Sequence, residues 1–448
     1  MQRWTALGIL CALFGTMGCG DDSGTNDVAD TGETADEAGD VVVDDAPGDV
    51  PEDVPVDVPA DLPADVPVDV PEDVPVDVPV DVPEDDGGGD SVADDGGPVP
   101  VVVQVAAGGT HTCARYDDGA VYCWGDDDVL AGGGTTGATP VRIAGLDAVQ
   151  LTCGGQFACA LPRGGGASCW GQIQFGTTLA TPTAIAGFPA GAALVEIDGG
   201  QNHACARGTS GPVYCWGANH HGHLGDTTTT PSDAAVTVSG VMDALSVGMG
   251  QQHSCAAAGV RAHCWGWSHA GQVGVTTETN PTPFTLPLFG DAGPNEVDGG
   301  DAHTCARVGT AAACWGMDGG GRMGNGVGSG ALQLTPAFVA GLTGVVQLAA
   351  GGDVTCTRMS DGTVRCWGVN SWGSAGGTAD PVPTPTAVAG LPSAAIDLSV
   401  GPEHTCVVLD DHSVWCWGSN WNGMLGAPTL PIDIGSTSRT PVRVVGLP

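Results

Sequence analysis

The sequence predicts an all-β fold: a seven-bladed β-propeller preceded by a signal peptide and a disordered acidic stalk. Three observations carry that expectation. A cysteine, a short turn and then Cys-Trp-Gly recur seven times between residues 113 and 416, with first cysteines 46 to 51 residues apart. A fixed period of that length marks one supersecondary unit repeated along a solenoid or around a closed ring. Within each unit, short β-rich runs are separated by glycine and aspartate, and helical periodicity is missing. Three or four short strands per unit, seven times over, give a propeller rather than a helical solenoid.

The first element is the leader. Arg3 supplies a positive charge and Ala6 to Phe14 a short apolar run, too short to span a bilayer. Gly18-Cys19 then resembles the end of a bacterial lipoprotein signal, in which the cysteine is acylated and becomes the mature N-terminus. Residues 1–18 are read as signal and Cys19 as the lipid-attachment site. Thr16 and Met17 depart from the usual pattern, and the alternative is ordinary cleavage with a free Cys19. The expected location is outside the cytoplasm, on a bacterial membrane, periplasmic or at the cell surface, where disulfides persist.

Residues 19–99 form the stalk. Residues 20–99 hold 27 of the 52 acids and no arginine. From Pro51 to Pro83 a proline falls at every fourth position, in Asp-Val-Pro-x repeats. Proline excludes helix there and favours extended polyproline II, and mutual repulsion of the aspartates stretches it further. At ~3.1 Å per residue this part reaches about 100 Å. A spacer is the favoured reading over a Ca²⁺-binding tract, because nothing fixes ligand geometry.

Charge narrows the partner. The chain has 12 basic residues, all arginine, and a formal net charge of −40. The repeat region, residues 100–448, sets 25 acids against 11 arginines. No basic stripe exists to track phosphates, which excludes a nucleic-acid partner. Like charge also disfavours a bare anionic membrane, leaving the lipid anchor as the membrane contact.

The cysteines pair by spacing: Cys113 with Cys123, Cys159 with Cys169, Cys205 with Cys215, Cys255 with Cys264, Cys305 with Cys314, Cys356 with Cys366 and Cys406 with Cys416. If Cys113 faces Cys123 across a hairpin, the loop is Asp117-Asp118-Gly119, with glycine where a three-residue loop needs a left-handed residue. Arg163-Gly164-Gly165, Thr209-Ser210-Gly211 and Ser360-Asp361-Gly362 repeat this, and Asp410-Asp411-His412 substitutes histidine. The two pairs spaced by nine leave Gly259-Val260 and Gly309-Thr310, the Gly-X form of a type II′ turn. Every unit therefore places its cysteines opposite each other, within disulfide reach. Seven cross-strand disulfides are expected, each closing about ten residues and worth ~2–3 kcal/mol in the loop-entropy model. Reduced core cysteines fit an exported chain less well, and zinc lacks further ligands at a recurrent spacing. Cys153, outside the pairs, is expected to be a buried unpaired thiol.

After Trp-Gly two units read Trp216-Gly217-Ala218-Asn219-His220-His221-Gly222-His223-Leu224-Gly225 and Trp417-Gly418-Ser419-Asn420-Trp421-Asn422-Gly423-Met424-Leu425-Gly426. Weaker copies follow Trp265, Trp315 and Trp367, and the first two units keep little of this loop. Together with the Gly-x-x-His-x-Cys opening, this resembles the regulator of chromosome condensation repeat over residues 100–448. The resemblance implies a seven-bladed propeller. The nucleotide-exchange activity of the family's founding member does not transfer to an exported, acidic, disulfide-rich chain. By fold alone, a secreted bacterial β-lactamase inhibitor is the nearer functional context, which points to a protein target. The unit then closes on a last strand, such as Thr139-Pro140-Val141-Arg142, with proline at its start or on an edge.

No nucleophile elbow, phosphate loop or metalloprotease motif is present, so no catalytic residue, metal or cofactor is assigned. His111, His203, His253, His303 and His404 share one offset and read as a structural position rather than a metal ring. Asp198 and Asp298, each before Gly-Gly, likewise read as repeat structure. Asp126-Asp127-Asp128 reads as a solvated turn. Trp267, Trp372 and Trp421, with His220, His221 and His223, are the candidate binding face, because variable loops on a rigid scaffold carry recognition. The expected function is non-enzymatic protein binding. The alternatives are carbohydrate binding at the cell surface, which loop tryptophans would serve, and a polysaccharide-cleaving hydrolase or lyase, which acids converging in one pocket would favour.

Overall fold

The computed structural model describes residues 98–126, 137–174, 177–286 and 292–448. The signal, Cys19 and the Asp-Val-Pro-x stalk lie outside them, as do Asp127 and Asp128. Seven four-stranded antiparallel sheets are each built from four consecutive strands. The first comprises β1 (Val102–Ala107), β2 (His111–Tyr116), β3 (Val121–Gly125) and β4 (Gly137–Arg142). The last comprises Ala395–Val400, His404–Leu409, Val414–Ser419 and Thr437–Arg443. First strands of neighbouring blades touch around the whole ring and are therefore innermost.

Each hydrophobic cluster straddles two blades. The one that closes the ring joins Val102, Tyr116 and Trp124 to Cys406, Val408 and Leu425. Among the described residues no strand is exchanged at closure; blade seven meets blade one by packing, and the Tyr116 hydroxyl donates to the Pro448 carbonyl at 3.1 Å. All seven Cys-Trp-Gly tryptophans are fully buried between blades. Each buries an aromatic surface of roughly 200 Å², so they dominate the inter-blade core.

The cysteines of every unit are direct register partners. All seven expected bridges are present. Cys113 is bonded to Cys123, Cys159 to Cys169, Cys205 to Cys215 and Cys255 to Cys264. Cys305 is bonded to Cys314, Cys356 to Cys366 and Cys406 to Cys416. The S–S distances run from 2.04 to 2.14 Å and the Cα–Cα distances from 4.0 to 4.1 Å. Gly119 takes φ +92° and His412 φ +64°, as a three-residue loop requires. Gly259 takes φ +57° while Val260 keeps a negative φ, as a type II′ turn requires. Both loop lengths leave the cysteines three steps from the closing pair. Strand pairs alternate between hydrogen-bonded and free, so both lengths put the cysteines on a close, non-hydrogen-bonded pair.

The fourth strand differs from expectation in one respect. Pro140 lies inside β4, not at its start, within a register shift opposite Trp124. The strand is the outer edge of its sheet, where a missing N–H costs no ladder bond.

Polar side chains of the innermost strands clasp the next blade. The amide of Leu151 donates to Gln104 (3.1 Å), that of Ile197 to Gln150 (2.9 Å) and that of Leu348 to Glu296 (3.1 Å). Asp397 accepts from Val105 across the closure at 2.9 Å. Asp198 and Asp298 do the same for Met249 (2.7 Å) and Ala350 (2.8 Å), consistent with a role in repeat structure.

Candidate binding face

In a four-stranded meander the loops joining first to second strands and third to fourth strands share one end of the ring. The third-to-fourth loops are the Trp-Gly loops. Their local order comes from a buried polar residue three positions after the tryptophan. Asn219 accepts from the amide of Leu224 (3.0 Å), Asn370 from Ala375 (2.9 Å) and Asn420 from Leu425 (3.1 Å). Ser268 does so for Val273 at 3.1 Å. The loop is thereby folded back, and one of its carbonyls points at the next blade.

That carbonyl accepts the indole N–H of the next tryptophan. Trp124 donates to Met424, Trp265 to His223, Trp315 to Gln272, Trp367 to Arg322 and Trp417 to Ser374, at 2.7 to 3.0 Å. At four junctions the hydroxyl of Thr112, Ser254, Thr304 or Thr405 donates to the same carbonyl. The histidines complete the junction. Nε2 of His203, His253, His303 and His404 meets Ser254, Thr304, Thr355 and Thr112 at 2.7 to 2.9 Å. A hydroxyl that donates to a carbonyl accepts from the imidazole, which fixes a neutral Nε2–H tautomer there. Burial holds His253, His303 and His404 down to about 3, so they stay uncharged. These histidines join blades; they are not a metal ring.

On this rigid frame the candidate residues separate. His223 is 4% exposed, stacks on His203 at 5.0 Å and supplies the Trp265 carbonyl; it belongs to the junction, not to the face. His220 is exposed and His221 half-buried. The half-buried Trp267 lies 5.6 Å from His221 and stacks on His269 at 3.8 Å. His269 is a residue the sequence reading missed, although it occupies the loop position of His220. Trp421 sits half-buried in a short 3-10 turn of the seventh blade.

Trp372 is 40% exposed and lines a cleft of about 190 Å³. Val369, Ser371 and Ser374 of the same loop also line it, and the first-to-second loops of blades four to seven add Gln251, Asp301, Asp353 and Glu403. Asp353 is ion-paired to Arg322 at 2.7 Å. Burial, and then the Asp353 charge, push the Asp301 carboxyl up to about 7. Burial also raises Glu403. The three acids were not singled out from sequence. Their signal was present: at the loop positions before the histidine, the first four blades carry Gly, Thr, Gln or Asn instead.

The fold and face define a disulfide-pinned seven-bladed β-propeller with variable loops on one end. The family model of the regulator of chromosome condensation (RCC1) repeat matches three stretches of this chain, residues 102–129, 194–222 and 395–423. Human WBSCR16 is similar in structure, at TM-score 0.61 and 18% identity over 69% of this chain and 87% of that one. Yeast RCC1 (Prp20) bound to Kap60 gives 0.46 and 19%, over 77% and 74%. The ectodomain of the Arabidopsis thaliana receptor kinase ACR4 gives 0.45 and 20%, over 75% and 100%. No curated protein matches the chain. Seven disulfides place the propeller in an oxidising environment. Among the described residues no helix is long and apolar enough to cross a membrane.

Proposed function

We propose that this chain is a non-enzymatic, protein-binding propeller whose cleft receives a cationic side chain of its partner. The observation that carries the reading is the cleft itself, with Trp372 beside Asp301, Asp353 and Glu403. Its volume, about 190 Å³, is below the roughly 300 Å³ at which small-molecule pockets begin. It suits one long side chain anchoring a larger surface. A lysine or arginine over an indole gains roughly 0.5–2 kcal/mol, and the acids supply the countercharge. The leader sequence supports a lipid anchor at Cys19, and the proline-spaced stalk a spacer, which would hold this face away from a bacterial membrane.

A second reading draws on the same cleft. Three acids converge there, and one of them titrates near neutrality, as a general acid in polysaccharide cleavage must. Binding by arrays of Lys/Arg peptides and of glycans, alongside a reducing-sugar assay, separates the two. Cationic peptides should bind, weaken with salt, and lose about tenfold with Trp372→Ala or Asp301→Asn. Retention of glycans alone, or sugar release that Asp301→Asn abolishes, would overturn the protein-binding reading.

A further inference from the structure

One junction breaks the histidine rule. His111 occupies the position at which four other blades meet a hydroxyl of the next blade, but its counterpart in blade two is Ala158. Both ring nitrogens of His111 are without a hydrogen-bond partner, and the residue is 0% exposed. The Phe157 carbonyl lies beside the ring but outside hydrogen-bond geometry. A fully buried imidazole with no partner is costly. The one described cysteine outside the bridges, Cys153, sits at the same junction and is 7% exposed. A ring nitrogen of His111, the Cys153 sulfur and the Cys113 sulfur lie within 4.8 Å of one another.

We propose that His111 and Cys153 form a two-donor site for one soft monovalent cation of the copper(I) or silver(I) class. Cys113 is oxidised and offers no thiolate, so two strong donors remain. Bonds of about 2.3 Å to sulfur and about 2.0 Å to nitrogen span at most about 4.3 Å, which falls inside the 4.8 Å limit on the separation of these donors. Two donors are too few for zinc, which takes four ligands in structural sites. Thiolate and imidazole select soft metals, whereas hard cations prefer carboxylates, and the cluster holds none. Charge points the same way. A monovalent ion on one thiolate is neutral overall, whereas a divalent ion would leave a net charge in a dry junction. Binding replaces the Cys153 S–H bond by a metal–sulfur bond, and the proton leaves to solvent.

The site is independent of the cleft. The test uses the full chain with Cys11→Ala and Cys19→Ala, so that Cys153 is the single unpaired thiol. Silver(I) is titrated in chloride-free buffer with free methionine present as a thioether competitor, and bound ions are counted by native mass spectrometry. One silver per chain is expected to survive the competitor. Cys153→Ser should lose it. So should His111→Phe, which copies the natural Phe157 of blade two and preserves the packing. Ala158→Thr should restore the hydroxyl partner of His111 and weaken uptake at least tenfold. No retained silver, or retention unchanged in Cys153→Ser or in a circular-dichroism-native His111→Phe, would overturn the site.

Discussion

His404→Val tests whether buried neutral histidines bind the blades together, as the junction geometry requires. The substitution copies Val354 of blade six, so the ring already tolerates it. Thr112 loses its imidazole partner but keeps the Met424 carbonyl at 2.8 Å. The effect lies in the pH dependence. Burial lowers His404 from 6.5 to about 3. Below pH 6.5 the unfolded chain takes up a proton there, and the folded chain does not until pH falls to about 3. Stability is therefore full above the unfolded value and is lost as pH falls between the two. At ~1.4 kcal/mol per unit, the change from pH 7 to pH 5 costs about 2 kcal/mol at this one residue. Carboxyls act oppositely in the same window. Asp301, raised to about 7, and Asp198, raised to about 6, hold protons that the unfolded chain has released. Their contribution is present at low pH and is lost as pH rises through those values. The wild-type profile alone thus mixes opposing contributions, and the difference between proteins isolates the histidine. Denaturant unfolding of both proteins at pH 7 and pH 5, disulfides intact, measures it. The variant should lose about 2 kcal/mol less than wild type on acidification. Equal losses would refute the neutral-junction account.

Two further outcomes follow from the same junctions and turns. Trp417→Phe removes an indole N–H bonded to Ser374 at 2.8 Å, whereas the Trp216 N–H has no partner among the described residues. The first substitution should cost roughly 1 kcal/mol more than Trp216→Phe by denaturant unfolding, and equal costs would count against the loop-carbonyl role. Gly259→Ala meets nothing within 4 Å, so its cost is backbone alone. A loss of about 1–2 kcal/mol is expected at φ +57°, and a neutral outcome would argue against the type II′ turn.

Much of the fold was legible because each unit repeats its constraints. Cysteine spacing and turn glycines agree on one register, so seven hairpins could be read from local chemistry alone. The Trp-Gly-x-Asn text was legible as a repeat, but its purpose was not. Asn219 and Asn420 organise a loop whose carbonyl serves another blade, and nothing local names that partner. His223 was misplaced for the same reason: in sequence it sits in a histidine cluster, while in space it lies under the Trp265 indole. The cleft acids were overlooked because Asp301, Asp353 and Glu403 come from three units and converge only when the ring closes. Pro140 marked an edge correctly, but not a strand start, because the bulge that accommodates it leaves no trace in hydrophobic alternation.

The junctions also explain why the first two units read as degenerate. From blade three round to blade one, each interface has a loop carbonyl, and an indole bonded to it. Between blades one and two, and between two and three, the matching residues are Ala158 and Ala204, and the indoles of Trp170 and Trp216 have no partner among the described residues. The loops that would reach them follow Trp124 and Trp170, the two that lost the motif. In sequence, the two loops without the motif coincide with the two missing hydroxyls, at Ala158 and Ala204. Blade two compensates with apolar matter: Phe157 replaces the histidine and packs with Trp216 and Ile197. Only His111 remains polar without its hydroxyl. Its retention beside the free thiol of Cys153 is the one departure that apolar substitution does not account for.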